Sequence, residues 1–281
     1  MNPPRAASRP PGAAGRVRDG GPAVIPPLRL PDGAAHLWLL PRPPVGGGVR
    51  GPDATVLDPR ERRRAEEYRD DAARLVYVGA HVGLRLLLGA YADTDPRAVR
   101  LSRDACPCCG APHGRPVLAH PDVPLHFSLS HGEDMALIGV AAVPIGVDIE
   151  RIPSLRTARA CAAALHPAER AELAASPADK RAGAFGQVWT RKEAYLKGLG
   201  TGLARPLAAD YLGVDPARRP DGWQVLDVAC GPRHRASAAL RTTGPVRVSV
   251  RELPSECLEP DGPSPAGAAL PPAAGHSASR P

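Results

Sequence analysis

An α+β fold is predicted by three observations along the chain. Helical and strand patterns mix in both halves, without the regular strand–helix alternation of a parallel-sheet protein. The clearest strands alternate apolar and polar residues, as half-buried antiparallel strands do. No short-period repeat runs through the sequence. The elements follow in order. His36–Leu40 (HLWLL) is a short apolar run and a first strand, and the Pro/Gly-rich stretch Pro41–Pro52 is a loop. Asp58-Pro59 has the form of an N-cap with proline at the first helical position. It opens a helical stretch to about residue 91, broken near Asp70–Asp71, whose second half sets Leu75, Val78, Val82 and Leu86 at helical spacing. Residues 105–116 (ACPCCGAPHGRP) read as loop, and Leu125–Ser130 (LHFSLS) as a half-buried strand. Met135–Val143 and Ile145–Ile149 are two more strands, turned at Pro144. The Ala-rich 155–175 is helical with an interruption at His166-Pro167, and 178–198 is a helix ended by Gly198 and Gly200. Residues 223–230 and 245–252 are late strands.

Length and composition bound the function. The 281 residues suit one or two domains with ample length for a core. Residues 1–31 and 254–281 are rich in proline and are expected to be a disordered Pro/Arg-rich leader and a disordered Pro/Ala-rich tail. No uninterrupted run of about 18 apolar residues occurs, so no membrane span is expected. The first residues lack the apolar segment of a secretory signal. Six cysteines in a chain of this length do not read as a disulfide scaffold, which points to a cytoplasmic protein with reduced thiols. The net charge of +7 falls to +4 over residues 31–258. That suits a phosphate-bearing small molecule or an acidic protein partner. With aromatic residues at 4%, stacking platforms for nucleic acid are not expected. Only three of the 36 basic residues are lysines, Lys180, Lys192 and Lys197. A chain that uses arginine almost everywhere points to a chemical reason for lysine at 192 and 197.

Three segments carry chemistry. In Gly146-Val-Asp148-Ile-Glu150 the carboxylates stand at i and i+2, on one face of a strand, while Val147 and Ile149 enter the core. Adjacent carboxylates repel unless a cation lies between them, the condition that recruits Mg²⁺; the pair alone fits an edge strand with a solvated acidic face better. In Val188–Lys197 (VWTRKEAYLK), Trp189, Glu193 and Lys197 share a helix face. Glu193 offers a third oxygen ligand, and Lys197 and Lys192 offer point charges for phosphate oxygens. In Phe127–Gly132 (FSLSHG), Ser130 and His131 point to opposite faces of a strand, which argues against a nucleophile–base pair and for phosphate contact at a strand end.

The order SLSH, GVDIE, WTRKEAYLKGLGTGL, with 43 residues from Glu150 to Glu193, resembles the Sfp-type 4′-phosphopantetheinyl transferases. Upstream, HLWLL resembles that family's early Trp-containing strand, 57–91 its basic helical segment, and HGRP its Gly-Lys-Pro turn with Arg115 in place of lysine. The resemblance covers about 36–215. It implies two similar α+β halves, 32–143 and 144–253, each a small mostly antiparallel sheet with helices, with coenzyme A in the cleft between them. It implies transfer of the 4′-phosphopantetheine arm of coenzyme A to a serine of an acyl- or peptidyl-carrier domain, releasing adenosine 3′,5′-bisphosphate, by a monomer. Asp148, Glu150 and Glu193 are then the Mg²⁺ ligands, Glu193 and Lys197 the catalytic pair, and His131 and Ser130 coenzyme A contacts. Glu169 is a further acidic neighbour. Arg115, Lys192, Arg60, Arg62, Arg64 and Arg74 are the basic candidates for the phosphates or the adenine rim.

Two other readings use the same residues. A metal-dependent hydrolase would cleave a pyrophosphate without any carrier protein. A non-catalytic coenzyme A- or carrier-binding module would not require all of Asp148, Glu150, Glu193 and Lys197. Separately, Cys106, Cys109 and His113 have a C-x2-C-x3-H spacing, with Cys108 nearby, that suits three zinc ligands. The alternative is a stiff loop that positions Arg115. Cys161, Cys230 and Cys257 read as buried or inert.

Overall fold

A computed structural model describes residues 28–43, 51–119 and 124–262. Most of the expected leader and tail, and part of the expected 41–52 loop, lie outside the described residues. The edges of both terminal segments are corrected. The Leu28 N–H donates to the Ala90 carbonyl at 2.8 Å, and Cys257 and Leu258 are buried in the core. Apolar side chains at these positions belong to the folded part despite the surrounding prolines.

Two sheets form the centre. The first has the order β4 (His126–His131), β5 (Met135–Ala141), β1 (Ala34–Pro41), β9 (Arg247–Glu252). Its strands pair antiparallel except β1 and β9, which run parallel with Leu37 beside Val250. The second is antiparallel, ordered β6 (Ile145–Arg151), β8 (His234–Arg241), β7 (Trp223–Val228). A small hairpin, β2 (Leu101–Arg103) with β3 (Pro116–Leu118), brackets the cysteine loop. The mixed, mostly antiparallel α+β architecture is the one the sequence predicts. The sheets, however, do not divide at Pro144: β9, from the expected C-terminal half, completes the sheet of the N-terminal half. A free parallel edge on β1 would leave unpaired backbone groups, and β9 satisfies them.

Period-two alternation on β1 and β5 sets the layers. Trp38, Leu40, Ile138 and Val140 face α2 (Asp71–Ala92), while Leu37 and Leu137 meet Val147, Ile149, Ala236 and Ala238 of the second sheet. Gly139 permits that face-to-face contact: a Cβ there would lie 2.5 Å from a Val147 methyl. The far face of the second sheet, at Val225 and Ala239, packs under Ala194, Tyr195 and Leu196 of α5 (Arg181–Leu199). The order of layers is therefore helix, sheet, sheet, helix. β8 escaped the sequence reading because HRASAALR is alanine-rich, and alanine is a poor strand former. In the middle of a sheet covered on both faces, small side chains are what fit.

The helix boundaries follow local chemistry. Asp58 caps α1 (Pro59–Glu66) in a reciprocal capping box with Glu61. Buried Arg85 holds that corner, with Nε donating to Glu61 at 2.6 Å, Nη2 to Asp58 at 2.9 Å and Nη1 to the Val99 carbonyl at 3.0 Å. Asp70 caps α2, which separates it from α1 at the expected break. His166 and Pro167 likewise separate α3 (Leu155–Cys161) from α4 (Pro167–Ala175). α2 is long and apolar enough to cross a membrane by length and composition, with Arg85 interrupting its apolar run; 67% of its most apolar stretch is buried inside the protein.

Candidate active site

The site is built where β6 and α5 touch. With Val147 and Ile149 committed to the core, Asp148 and Glu150 face α5, and Glu193 and Lys197, one turn apart, face back. Glycine sets the separation. A Cβ on Gly146 would overlap the Ala194 carbonyl oxygen, and one on Gly198 would sit 2.6 Å from the Trp223 ring. Lys197 therefore reaches Asp148 directly. Its Nζ lies 2.6 Å from Asp148 Oδ1 and 3.0 Å from Ser130 Oγ, and Ser130 Oγ donates to the same Oδ1 at 2.8 Å. On the strand that supplies Ser130, the Ser128 hydroxyl accepts the Val147 N–H at 3.1 Å, tying β4 to β6. Asp148 is buried, and among the described residues its Oδ2 has no hydrogen-bond partner.

These groups line a cleft of about 1270 Å³. One wall is β6 and α5. The other is α1, α2, the β2–β3 hairpin and the end of β4. Electrostatics in the cleft are strained toward cation binding. Burial, then the Asp148 and Glu193 charges, push Glu150 up to about 7 against the opposing pull of Lys197. Burial and Asp148 also raise Glu193. His131 is pushed down to about 4 by burial and by its neighbours His81 and Lys197, so at neutral pH it is an uncharged imidazole.

The donor set fits a hard divalent cation: three carboxylates, two of them with raised pKa values, and an unpartnered buried oxygen on the third. The carboxylates are neighbours and do not form a closed shell. Among the described residues, the one trio of potential ligands whose donor atoms all lie within 4.8 Å is Cys106, Cys109 and His113.

The basic candidates divide. Arg60, Arg64 and Arg115 line the cleft, Arg115 paired with Asp104 at 2.9 Å. Arg62 does not line it. Its guanidinium turns to the Leu57 carbonyl, because Arg60, Arg63 and Arg64 share the face of α1 that lines the cleft and position 62 falls outside it. Arg74 is an exposed pair with Asp71 away from the cleft. Lys192 is the clearest correction. It is buried, 2.9 Å from Glu169 Oε1, and donates to the carbonyls of Leu207 at 2.7 Å and Asp210 at 2.6 Å. One residue is 100° of helix, so 192 points into the packing between α5 and α4 while 193 points into the cleft. Glu169 is consequently a buried structural carboxylate and not an acidic neighbour of the site. It accepts the His166 N–H at 3.0 Å and the Leu212 N–H at 2.6 Å.

Sequence reasoning missed Tyr77, His81 and Arg103 as cleft residues. Tyr77 and His81 stack at 4.1 Å between centroids, and both rings meet His131 near 6 Å. The signal was present: two polar aromatics at i and i+4 interrupt an otherwise apolar helix.

Residues 144–238 match the model of the 4′-phosphopantetheinyl transferase superfamily. The chain is 27% identical over 227 residues to the 4′-phosphopantetheinyl transferase HetI of Nostoc sp., covering 78% of this chain and 92% of the relative. It is 28% identical over 151 residues to the 4′-phosphopantetheinyl transferase Sfp of Bacillus subtilis, covering 53% and 61%. To the 4′-phosphopantetheinyl transferase AcpT of Escherichia coli it is 41% identical over 86 residues, covering 30% and 44%. The span in common with Sfp and with AcpT is thus less than two-thirds of either relative, whereas nearly all of HetI is matched.

Proposed function

We infer that this chain, which belongs to the 4′-phosphopantetheinyl transferase superfamily, moves the 4′-phosphopantetheine arm of coenzyme A onto a serine of an apo carrier protein. The observation that carries the reading is the meeting of Ser130, Asp148 and Lys197 within 3.0 Å, from three segments far apart in sequence, on the wall of a cleft large enough for a nucleotide-sized substrate.

In the reaction, the carrier serine oxygen bonds to the phosphorus that bears the pantetheine arm, and the bond from that phosphorus to adenosine 3′,5′-bisphosphate breaks. Glu193 takes the serine proton. Lys197 holds an ammonium against the pyrophosphate, and Asp148 and Ser130 fix its position by two hydrogen bonds. His131, uncharged at neutral pH, offers one ring N–H to a phosphate oxygen. Arg60, Arg64 and Arg115 lie where they can meet the remaining phosphate charge. Asp148, Glu150 and Glu193 would hold Mg²⁺, which would supply Lewis-acid neutralisation of the pyrophosphate charge. The cytoplasmic location expected from the sequence, a monomeric state, and acyl- or peptidyl-carrier domains as acceptors belong to the same proposal.

The test is the intact mass of an apo carrier domain after incubation with this protein and coenzyme A, with Mg²⁺ or with EDTA. A Mg²⁺-dependent gain of one phosphopantetheine arm is expected. Coenzyme A cleaved without any gain on the carrier would overturn the reading in favour of a hydrolase. Coenzyme A bound but intact, with no gain, would make the protein a binding module.

A further inference from the structure

The loop between β2 and β3 gathers a second set of ligands unrelated to the carboxylates. Cys106 Sγ, Cys109 Sγ and a ring nitrogen of His113 lie within 4.8 Å of one another, with Cys109 Sγ 3.0 Å from His113 Nε2. Tetrahedral zinc with ordinary Zn–S and Zn–N bonds sets such atoms about 3.6–3.8 Å apart. The backbone is already folded for the purpose. The Gly110 N–H donates to the Cys106 carbonyl at 2.8 Å, and the Cys106 N–H to the Ala111 carbonyl at 2.8 Å. Gly110 turns the chain at φ +73°, a conformation that any side chain would strain. Cys106 is buried, whereas Cys109 and His113 are exposed, so an ion has a path in from solvent.

We propose that Cys106, Cys109 and His113 form a zinc site at the mouth of the large cleft, with the fourth position open to solvent. Binding displaces the two thiol protons and leaves a neutral imidazole as the third ligand. The site clamps the loop that carries His113, Gly114 and Arg115 into the cleft wall. Gly114 abuts the Asp104 and Ala105 carbonyls so closely that the clamp passes straight to the Arg115–Asp104 pair. The role is structural and does not depend on which reaction the cleft performs.

The test is metal content of the full chain, purified without a metal-binding tag, reduced, exposed to ZnCl₂ and desalted. About one zinc per chain is expected. Cys109→Ser and His113→Ala, both at exposed positions, are expected to retain about tenfold less, with unchanged circular dichroism. Cys108→Ser is expected to retain zinc as the unaltered chain does. Cobalt(II) in place of zinc is expected to give a thiolate-to-cobalt absorption band and the intense visible bands of a tetrahedral site. No zinc above the level in His113→Ala would overturn the proposal. Equal loss in Cys108→Ser and Cys109→Ser would also overturn it, since Cys108 would then be a ligand in place of the open position. Because the readout is bound metal, a chain inactive as a transferase leaves the result interpretable.

Discussion

Lys192 and Lys197, five positions apart on one helix, show how a single residue type serves two unrelated tasks. Lys192 neutralises Glu169 in the protein interior, and burial lowers the pKa of its ammonium while Glu169 raises it. Lysine suits that pocket because a compact ammonium with three donors meets one carboxylate and two carbonyls. Lys192→Met leaves Glu169 charged and unpaired and is expected to cost about 3–5 kcal/mol, read as a lower denaturation midpoint. Lys197 stands at the cleft, so Lys197→Arg is expected to fold normally and lose about tenfold in turnover, because a fork replaces a point charge. Asp148→Asn is expected to lower kcat by about 10²–10³-fold with thermal stability nearly unchanged, since Lys197 still reaches water. Steady-state kinetics beside a melting curve separates the three variants. The scarcity of lysine in the sequence marked both positions as special. Which face each occupied depended on what α4 placed opposite, and that contact lies 23 residues away in the chain.

At the scale of elements, the contact between β6 and α5 determines whether the site exists. Its separation is set by a glycine on each side, and Gly146→Ala is expected to destabilise the protein by about 3 kcal/mol by forcing α5 off the strand. Turnover should fall along with the melting temperature, because the Lys197–Asp148 contact opens. Undiminished kcat in a stably folded Gly146→Ala protein would contradict this account. Helix limits were legible because caps are local: Asp58, Asp70, His166 and Gly200 each end or begin a helix through groups within a few residues. β8 was not legible because its alanines are explained by what lies above and below the sheet. The arginines of α1 were legible as a basic segment, and their register was not, since Arg62 and Arg63 differ only in which side of a short helix meets the cleft.

Across the whole molecule, acid should weaken the fold. His36 is buried in β1, with Nδ1 against the Tyr91 hydroxyl at 2.5 Å, and burial together with Arg251 pushes it down to about 4. Its folded pKa lies below the unfolded value of about 6.5, so the unfolded chain binds more protons between the two values. Its contribution to stability is therefore complete above pH 6.5 and is lost as pH falls toward 4. Denaturant titrations at pH 7 and pH 5 are expected to differ by about 2 kcal/mol from this residue, an increment that His36→Gln should remove. The fold class was legible from patterning. The partnership of β1 with β9 was not, because strand pairing across more than 200 residues leaves no mark on local sequence. That partnership also orders events at the ribosome. The first strand to emerge waits beside an open edge until almost the entire folded region has been synthesised. A nascent chain stalled before Arg247 would hold most of its apolar surface and no complete first sheet, and so would be the form of this protein most in need of a chaperone.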